Sequence, residues 1–270
     1  MKLGFIGTGN LATAILRGVV ASETLKASEI LIFDINQTKL EELSEELSVV
    51  VAKSANEIAS ECENIIIAVK PKDFASLADG IKVDVRENNP LVISTAAGTQ
   101  TSKITDCFGF DVKAVRIMPN INAAVGQAMT AVCATENVSY AEKEFVLELC
   151  NSFGKAVLLE EKYFSVFTAI AGSGPAFAYM FADALATAGI KYGLPAKTAQ
   201  DIAAQMMLGS AKMLLESGLS VSELVRNVSS PGGTTVEGVC SLKETGFENS
   251  VITAIDKTVE KDRLMSKQGG

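Results

Sequence analysis

The residues of this chain best suited to chemistry are glycines and hydroxyl-bearing residues, because its 270 residues include no histidine. Histidine is the commonest general acid or base and a frequent metal ligand, so its absence leaves backbone N–H groups and Ser or Thr hydroxyls as candidates. The first candidate group is Gly7-Thr-Gly-Asn-Leu-Ala12, which directly follows the apolar run Leu3-Gly-Phe-Ile6. A Gly-x-Gly-x-x-Ala turn between a strand and a helix is typical of dinucleotide-binding proteins.

Each small residue in this turn has a physical reason. Gly7 allows a sharp turn, Gly9 has no Cβ and lets a pyrophosphate approach the backbone, and Ala12 keeps the helix close to the strand. The helix predicted over residues 10–20 would offer free N–H groups and a partial positive charge to the phosphates. A strand predicted over residues 1–6 completes the context of the motif, so the sequence predicts a bound nicotinamide dinucleotide.

Strand-like and helix-like segments alternate through the first half of the chain. Strands are predicted at residues 1–6, 29–33, 49–52, 64–69, 91–94, 112–117 and 129–134, and helices at 10–20, 38–47 and 55–62. This alternation predicts an α/β fold with a Rossmann-type, doubly wound parallel sheet, whose ligand lies outside the carboxyl ends of the strands. The residues that end these strands should therefore meet: Gly7, Gly9, Asp34, Lys70, Pro71, Ala97, Gly98, Pro119 and Asn120.

After about residue 160 the strand signals end, and helices are predicted at 163–171, 175–191, 196–216, 220–227, 234–244 and 248–266. We therefore expect a dinucleotide-binding domain over residues 1–160 and an all-helical domain over residues 161–270. Helices 175–191 and 199–215 are apolar on nearly every side, and about a hundred residues cannot easily bury them. This pattern favours a dimerisation domain covered by a partner subunit. The alternative is an ordinary helical core within one chain.

Two glycine-rich turns interrupt the helical half, Ala171-Gly-Ser-Gly-Pro-Ala176 and Ser229-Ser-Pro-Gly-Gly-Thr-Thr235. Each leaves free N–H groups at the start of the following helix, which is a suitable site for an anion. The alternative is a plain helix connection with Ser or Thr as the N-cap. Because both turns combine glycine with small hydroxyls, we favour a small ligand that carries a carboxylate.

Composition and charge restrict the functional class. A net charge of −8 argues against nucleic-acid binding, which requires a basic surface. No apolar stretch reaches the eighteen or so residues of a membrane span, and the glycine motif occupies the place of a signal-peptide core. The five cysteines are widely spaced without a C-x-x-C pair. We therefore expect a cytoplasmic protein with reduced thiols and no metal site, acting on a small molecule.

These motifs together resemble those of the pyrroline-5-carboxylate reductases, which produce L-proline. The resemblance runs the whole length and includes Gly-Phe-Ile-Gly-x-Gly-Asn-Leu-Ala at 4–12, Ala-Val-Lys-Pro at 68–71, Ala-Ala-Gly at 96–98, Arg-Ile-Met-Pro-Asn at 116–120 and Ala-Gly-Ser-Gly-Pro-Ala at 171–176. The segment Asn-Val-Ser-Ser-Pro-Gly-Gly-Thr-Thr at 227–235 is the most specific, because generic Rossmann enzymes do not carry it.

The resemblance implies NAD(P)H-dependent hydride transfer to the imine carbon of 1-pyrroline-5-carboxylate, in a homodimer with interlocked helical domains that commonly forms larger rings such as a decamer. The substrate would lie between the nicotinamide and the Ser-Pro-Gly-Gly turn, which the second subunit partly contributes. Thr235 and Ser230 are the catalytic candidates. Thr235 would contact the ring nitrogen, and Ser230 would support the turn. The implied substrate ligands are Ser173, Gly232, Gly233, Thr234 and Thr235.

The expected cofactor residues follow the strand ends and the family motifs: Ile6, Gly7, Thr8, Gly9, Asn10, Leu11, Asp34, Asn56, Ala68, Val69, Lys70, Pro71, Ala96, Ala97, Gly98, Pro119 and Asn120. Asp34 is the one cofactor residue that departs from what NADPH binding would require. A carboxylate after the second strand suits the ribose hydroxyls of NADH and repels the 2′-phosphate of NADPH. Lys39 offers some compensation, and Asn56 matches a family position on the adenosine side. The sequence favours NADH over NADPH.

Three alternatives remain open. A β-hydroxyacid dehydrogenase would share the first domain but needs a catalytic lysine, for which Lys191 and Lys197 are the nearest candidates. An imine or opine-type reductase with another substrate is opposed only by the Ser-Pro-Gly-Gly turn. A nucleotide-sensing or pyridoxal-phosphate-binding regulator is the non-enzymatic alternative, and cofactor binding without imine reduction would identify it.

Overall fold

A computed structural model describes residues 2–268 and contains one sheet of eight strands within them. The strands are β1 Leu3–Ile6, β2 Ile30–Phe33, β3 Val50–Val51, β4 Asn64–Ile67, β5 Leu91–Ser94, β6 Ala114–Met118, β7 Ala128–Ala134 and β8 Gly154–Leu158. Their order is β3-β2-β1-β4-β5-β6-β7-β8. The first six strands are parallel and follow the order typical of a Rossmann fold, as predicted.

The last two strands reverse direction, which the sequence-based prediction of a wholly parallel sheet missed. β7 pairs antiparallel with β6, and β8 runs parallel to β7. β8 was not predicted at all. It is an edge strand in which Lys155, Val157 and Leu158 are exposed, so it lacks the continuous apolar run of a strand buried on both faces.

Helices cover both faces of the sheet, which confirms the doubly wound prediction. On one face lie α1 Asn10–Ala21, α2 Gln37–Leu47 and α6 Tyr140–Asn151, packed through side chains such as Ile15, Leu40 and Val146. On the other lie α3 Ala55–Glu61, α4 Pro71–Asn88 and α5 Thr101–Phe108, packed through Ile58, Phe74 and Ile104. Because both faces are covered, β4 and β5 are wholly buried.

The chain divides into two compact units. The first unit is Met1–Gly172 with Val259–Gly270, and the second unit is Ser173–Thr258. The helix predicted at 163–171 is a short α7, Phe164–Phe167, followed by a π-helical turn, Thr168–Gly172. The domain boundary predicted near residue 160 thus marks the end of the strands, whereas the compact units divide after Gly172.

The second unit consists of helices whose bounds agree with the predictions to within a residue or two. They are α8 Gly174–Lys191, α9 Ala196–Glu216, α10 Val221–Val228 and α11 Thr234–Glu244, followed by α12 Phe247–Gln268, which begins in the second unit and ends in the first. α8 and α9 pack closely, because a Cβ on Gly189 would lie 3.2 Å from the Ala199 Cβ.

Large apolar side chains of α8 and α9 remain exposed in the single chain. Their buried residues are only Ala186, Ala199 and Ala203. The exposed apolar side chains include Tyr179, Met180, Phe181, Ile190, Ile202, Met206, Leu208, Met213, Leu214 and Leu215. By length and composition, the helical stretch Glu161–Lys191 would also suffice to cross a membrane, which the sequence-based expectation did not foresee.

Candidate functional site

The glycine-rich turn after β1 is wedged between the neighbouring strands. The Gly7 N–H donates to the Phe33 carbonyl at 2.8 Å and extends the β1–β2 pairing. Gly7 has φ +95°, and a Cβ there would lie 2.8 Å from the Ala68 carbonyl oxygen. Both the backbone conformation and the space therefore require glycine at this position.

Gly9 has the opposite environment. Its φ of −58° and ψ of 174° suit any residue, and apart from the local backbone and the two chain neighbours no described heavy atom lies within 4 Å of where a Cβ would stand. Gly9 is the N-cap of α1, and no described side chain caps this helix. The open space and the uncapped N–H groups fit a pyrophosphate, with Asn10 and Leu11 in the first turn. The residues present therefore fit the predicted dinucleotide.

Asp34 is tied to the glycine-rich turn. Its Oδ2 accepts hydrogen bonds from the Thr8 N–H at 2.6 Å and the Thr8 hydroxyl at 3.0 Å, and its Oδ1 accepts from the Asn36 N–H at 3.0 Å. Partial burial alone would raise the pKa of Asp34, but these hydrogen bonds outweigh it and the pKa is lowered. The attraction of Lys39 acts in the same direction, and Lys39 with Asn10 lines a cavity of about 730 Å³ along α1.

The ends of β4 and β5 lie beside this turn. Ala68 continues the β4 pairing to β1, and after Val69 and Lys70 the helix α4 begins at Pro71, again without a side-chain cap among the described residues. Pro71 at the first helical position suits the helix start. Beyond β5, the Ala96 N–H is held by the Ser94 hydroxyl at 3.2 Å, Ala97 is exposed, and Gly98 has φ +71°. The structure therefore places the predicted residues of β1, β2, β4 and β5 along one sheet edge.

Asn120 follows β6 and Pro119 at the same edge, but protein groups already bind its side chain. Its Nδ2 donates to the Ala171 carbonyl at 2.9 Å, and its Oδ1 accepts from the Met129 N–H at 3.3 Å. Only 7% of Asn120 is exposed. Its amide therefore joins three segments of the first unit.

Asn56 lies at the start of α3, where its side chain contacts α4. Its Nδ2 donates to the Gly80 carbonyl at 3.0 Å and to the Asp84 carboxylate at 2.6 Å. The Asn56 amide therefore makes its hydrogen bonds to α4 and none to the glycine-rich turn. Its adenosine contact stays a prediction.

In the second unit, residues 230–233 form a tight turn before α11. The Gly233 N–H donates to the Ser230 carbonyl at 3.0 Å, and Gly232 has φ +70°. Proline followed by a glycine with positive φ is the signature of a type II turn. Gly233 is the N-cap of α11, and no described side chain caps the helix. The exposed Thr234 and Thr235 begin it, so their N–H groups are free to bind an anion.

Two serines lie close to these turns in sequence. Ser173 precedes α8 and is partly exposed, and its carbonyl accepts the Ala176 N–H at 3.0 Å. Its side chain makes no capping bond to the helix, so its hydroxyl is not committed there. Ser229 was not singled out in the sequence, and its buried Oγ lacks a partner among the described residues. No local signal distinguishes it from the exposed Ser230.

The residues that alternative chemistries would need are poorly placed. Lys197 pairs with Asp201 on the surface of α9, and its side chain is 82% exposed. Lys191 lies over the ring of its neighbour Tyr192.

Burial raises the pKa of the Cys62 thiol to about 11 and that of Cys150 to about 12, so both stay protonated near neutral pH.

All five cysteines are free, and residues 2–268 contain no group of three Cys, Asp or Glu side chains that could hold a metal ion.

The sequence reasoning missed a buried ion pair behind the strand ends. Arg116 of β6 donates to Glu161 at 3.1 Å, and its side chain is 7% exposed. Glu161 also accepts from the N–H and hydroxyl of Thr101 at the start of α5. The available signal was a charged residue inside the apolar strand Ala114–Met118.

Two family models match the chain. One, described as pyrroline-5-carboxylate reductase dimerisation, covers residues 161–265. The other, described as NADP oxidoreductase, coenzyme F420-dependent, covers residues 2–98. The helical half thus matches a dimerisation module, and the beginning of the chain matches a dinucleotide-dependent oxidoreductase.

Relatives and solved structures match over nearly the full length. A pyrroline-5-carboxylate reductase of Aquifex aeolicus is 37% identical, over 98% of this chain and 97% of that protein. The solved structure of a pyrroline-5-carboxylate reductase from Coxiella burnetii has a TM-score of 0.94 at 29% identity, covering 97% of each chain. That of Plasmodium falciparum pyrroline carboxylate reductase with NADP bound has a TM-score of 0.86 at 30% identity, covering 98% of each.

Proposed function

The chain belongs to the pyrroline-5-carboxylate reductase family, and we propose that one group of its residues binds the dinucleotide and another binds the substrate. Its activity is the NAD(P)H-dependent reduction of 1-pyrroline-5-carboxylate to L-proline, the last step of proline biosynthesis. Strand-end residues of the first unit hold the dinucleotide, and the turn that begins at Ser230 holds the substrate. The uncapped start of α11 after a Pro-Gly turn carries this assignment, because an anion can bind there.

The bound dinucleotide supplies the hydride. The imine nitrogen is readily protonated, so the chain needs no strong acid, which agrees with the absence of histidine. The N–H groups of Gly233, Thr234 and Thr235 hold the substrate carboxylate, with Gly232 shaping the turn and Ser173 contacting the ring. The Thr235 hydroxyl contacts the ring nitrogen, and Ser230 supports the turn through its carbonyl. These residues bind and orient the imine.

The dinucleotide assignment rests on the strand ends. Gly7, Thr8 and Gly9 form the pyrophosphate turn, and the uncapped start of α1 faces the phosphates. The segments that follow β4, β5 and β6 line the rest of the bound molecule, and Asn56 lies on the adenosine side. In this assignment residues 1–160 serve the dinucleotide and residues 161–270 serve substrate binding and dimerisation.

A direct assay tests the proposed function. The purified protein, mixed with 1-pyrroline-5-carboxylate, is expected to oxidise NADH or NADPH and to release proline in equal amount. Turnover of a 3-hydroxy acid without turnover of the cyclic imine would instead identify a hydroxyacid dehydrogenase. Dinucleotide binding with neither reaction would identify a regulator.

Asp34→Ser is expected to shift the cofactor preference from NADH towards NADPH. Asp34 keeps a full negative charge at the end of β2, because its pKa is lowered. That charge would repel a 2′-phosphate, and its removal is worth about 1–2 kcal/mol, or roughly five- to thirtyfold in the ratio of the two kcat/KM values. The measurement is kcat/KM for both cofactors in wild type and variant.

Asp34→Asn is the matched control for this shift. It removes the charge and keeps an oxygen that accepts from Thr8, and it gives up only the bond that Oδ1 accepts from the Asn36 N–H, so it should change the preference while the contact with Thr8 is retained. A wild-type enzyme that already prefers NADPH strongly would contradict the role of Asp34, and Lys39 would then be the group that compensates its charge.

The chain forms oligomers through its helical half, which matches the dimerisation family. We assign the exposed apolar side chains of α8 and α9 to a homodimer with interlocked helical domains, and larger rings such as a decamer would assemble from such dimers. A partner subunit also accounts for the apolar stretch Glu161–Lys191 without a membrane. The biosynthetic role and the free thiols support a cytoplasmic location.

Leu208→Glu is expected to weaken this association. Leu208 lies on α9 with 63% of its surface exposed, and a charge there would remain unpaired in an apolar interface. Val83→Glu is the matched control, because Val83 lies on α4 of the first unit with 60% exposed. Sedimentation velocity at micromolar concentration should show dimers or larger species for wild type and Val83→Glu and smaller species for Leu208→Glu. A stable, active wild-type monomer would contradict the interlocked dimer.

A further inference from the structure

Every second side chain from Arg116 to Asn120, along β6 and the two residues that follow it, contacts the segment that leads into Ser173. Successive residues of a strand point to opposite faces, so Arg116, Met118 and Asn120 share one face, while Val115 and Ile117 pack into the core on the other. Arg116, Met118 and Asn120 each contact the stretch 161–172. β6 therefore sets the position of this stretch within the first unit.

The contacts follow the stretch in order from its start. Arg116 binds Glu161 at 3.1 Å, and its guanidinium carbon lies 4.4 Å from the centre of the Phe164 ring. The Thr168 hydroxyl, which donates to the Phe164 carbonyl at 2.8 Å, lies 3.2 Å from the Met118 sulfur. A Cβ built on Gly172 would lie 3.8 Å from the terminal methyl carbon of Met118, so the end of the stretch also passes close to this side chain.

Asn120 makes the last contact of this series. Its Nδ2 donates to the carbonyl of Ala171, inside the π-helical turn Thr168–Gly172. Carbonyls at a helix end lack a partner within the helix, and π-helical turns are frequent at functional sites. The Met129 N–H fixes the other end of the same amide, so Asn120 has one orientation that serves both partners.

We infer that the side-chain amide of Asn120 positions the substrate site of the reductase through the Ala171 carbonyl and does not itself bind the dinucleotide. It fixes the backbone two residues before Ser173, and the inference rests on the proposed role of Ser173 as a substrate ligand. Loss of the Asn120 donor frees the π-helical turn, and with it the residue that contacts the imine ring.

Asn120→Asp tests this inference, because it keeps the oxygen that binds Met129 and removes the donor to Ala171. Asn122→Asp is the matched control, since it makes the same chemical change two residues away at a side chain for which the described residues show no hydrogen bond. Asn120→Asp is expected to lower kcat/KM for the imine by about tenfold or more, with the NADPH dissociation constant within about twofold of wild type. The control should match wild type in both.

Hydrogen exchange read by mass spectrometry gives a second measurement that does not depend on activity. Peptides covering residues 164–176 should exchange faster in Asn120→Asp and unchanged in Asn122→Asp. Asn120→Ala, which adds no charge, should reproduce both effects if the aspartate variant is poorly folded.

Wild-type exchange in these peptides for both Asn120 variants would overturn the inference, whatever the activity. An equal loss of NADPH affinity and of kcat/KM would also overturn it, because Asn120 would then be a dinucleotide ligand. A wild-type enzyme that fails to reduce the imine would refute the proposed function, and the exchange result would still decide whether Asn120 anchors the turn.

Discussion

Gly9→Val is expected to abolish dinucleotide binding while leaving the protein folded. Apart from the local backbone and the two chain neighbours, no described heavy atom lies within 4 Å of the Cβ position, and the backbone angles at Gly9 suit valine. The new side chain would therefore occupy only the space that we assign to the pyrophosphate. We expect NADH and NADPH to bind at least about hundredfold more weakly in a fluorescence titration. The thermal unfolding midpoint should stay close to that of wild type.

Two other glycines give the controls. Gly80→Val adds the same side chain at an equally open position within α4, and it should leave dinucleotide affinity unchanged. Gly7→Ala should instead lower the unfolding midpoint, because a Cβ there meets the Ala68 carbonyl at 2.8 Å and φ is +95°. Wild-type affinity in Gly9→Val would mean that this turn serves only the fold.

The features that the sequence predicted correctly are those with local causes. β4 and β5 are continuous apolar runs because helices cover both faces of the sheet, and such runs are visible in the sequence. The turn at Pro231-Gly232 is likewise local, because proline presets one backbone angle and glycine allows the positive φ of the next residue. The start of α11 follows directly from that turn.

The features that the sequence could not supply depend on distant partners. Asn120 reads as a polar residue at a strand end, and nothing near it indicates that its amide binds Ala171, 51 residues later. Asn56 likewise binds Asp84 across two helices. β8 escaped prediction because an edge strand with one exposed side lacks a long apolar run. The fold class was therefore predictable, whereas the partners of individual polar side chains were not.

Thr235→Ala is expected to impair imine reduction far more than cofactor binding. Thr235 is exposed in the first turn of α11, where its hydroxyl is free to meet the ring nitrogen. Loss of a hydrogen bond to a charged group costs about 1.5–3 kcal/mol, which corresponds to roughly ten- to 150-fold in kcat/KM for 1-pyrroline-5-carboxylate. The NADPH dissociation constant should remain within about twofold of wild type, because the hydroxyl is assigned to the substrate.

Thr235→Ser separates the hydroxyl from the rest of the side chain. Serine keeps the O–H group and loses only the methyl, so it should restore most of the activity that alanine loses. If the role of Thr235 were purely structural, the alanine variant would have a lowered unfolding midpoint. The folded enzyme would then keep the kcat and KM of wild type. Unchanged kcat and KM in Thr235→Ala would remove this hydroxyl from the reaction and leave the N–H groups at the start of α11 as the substrate ligands.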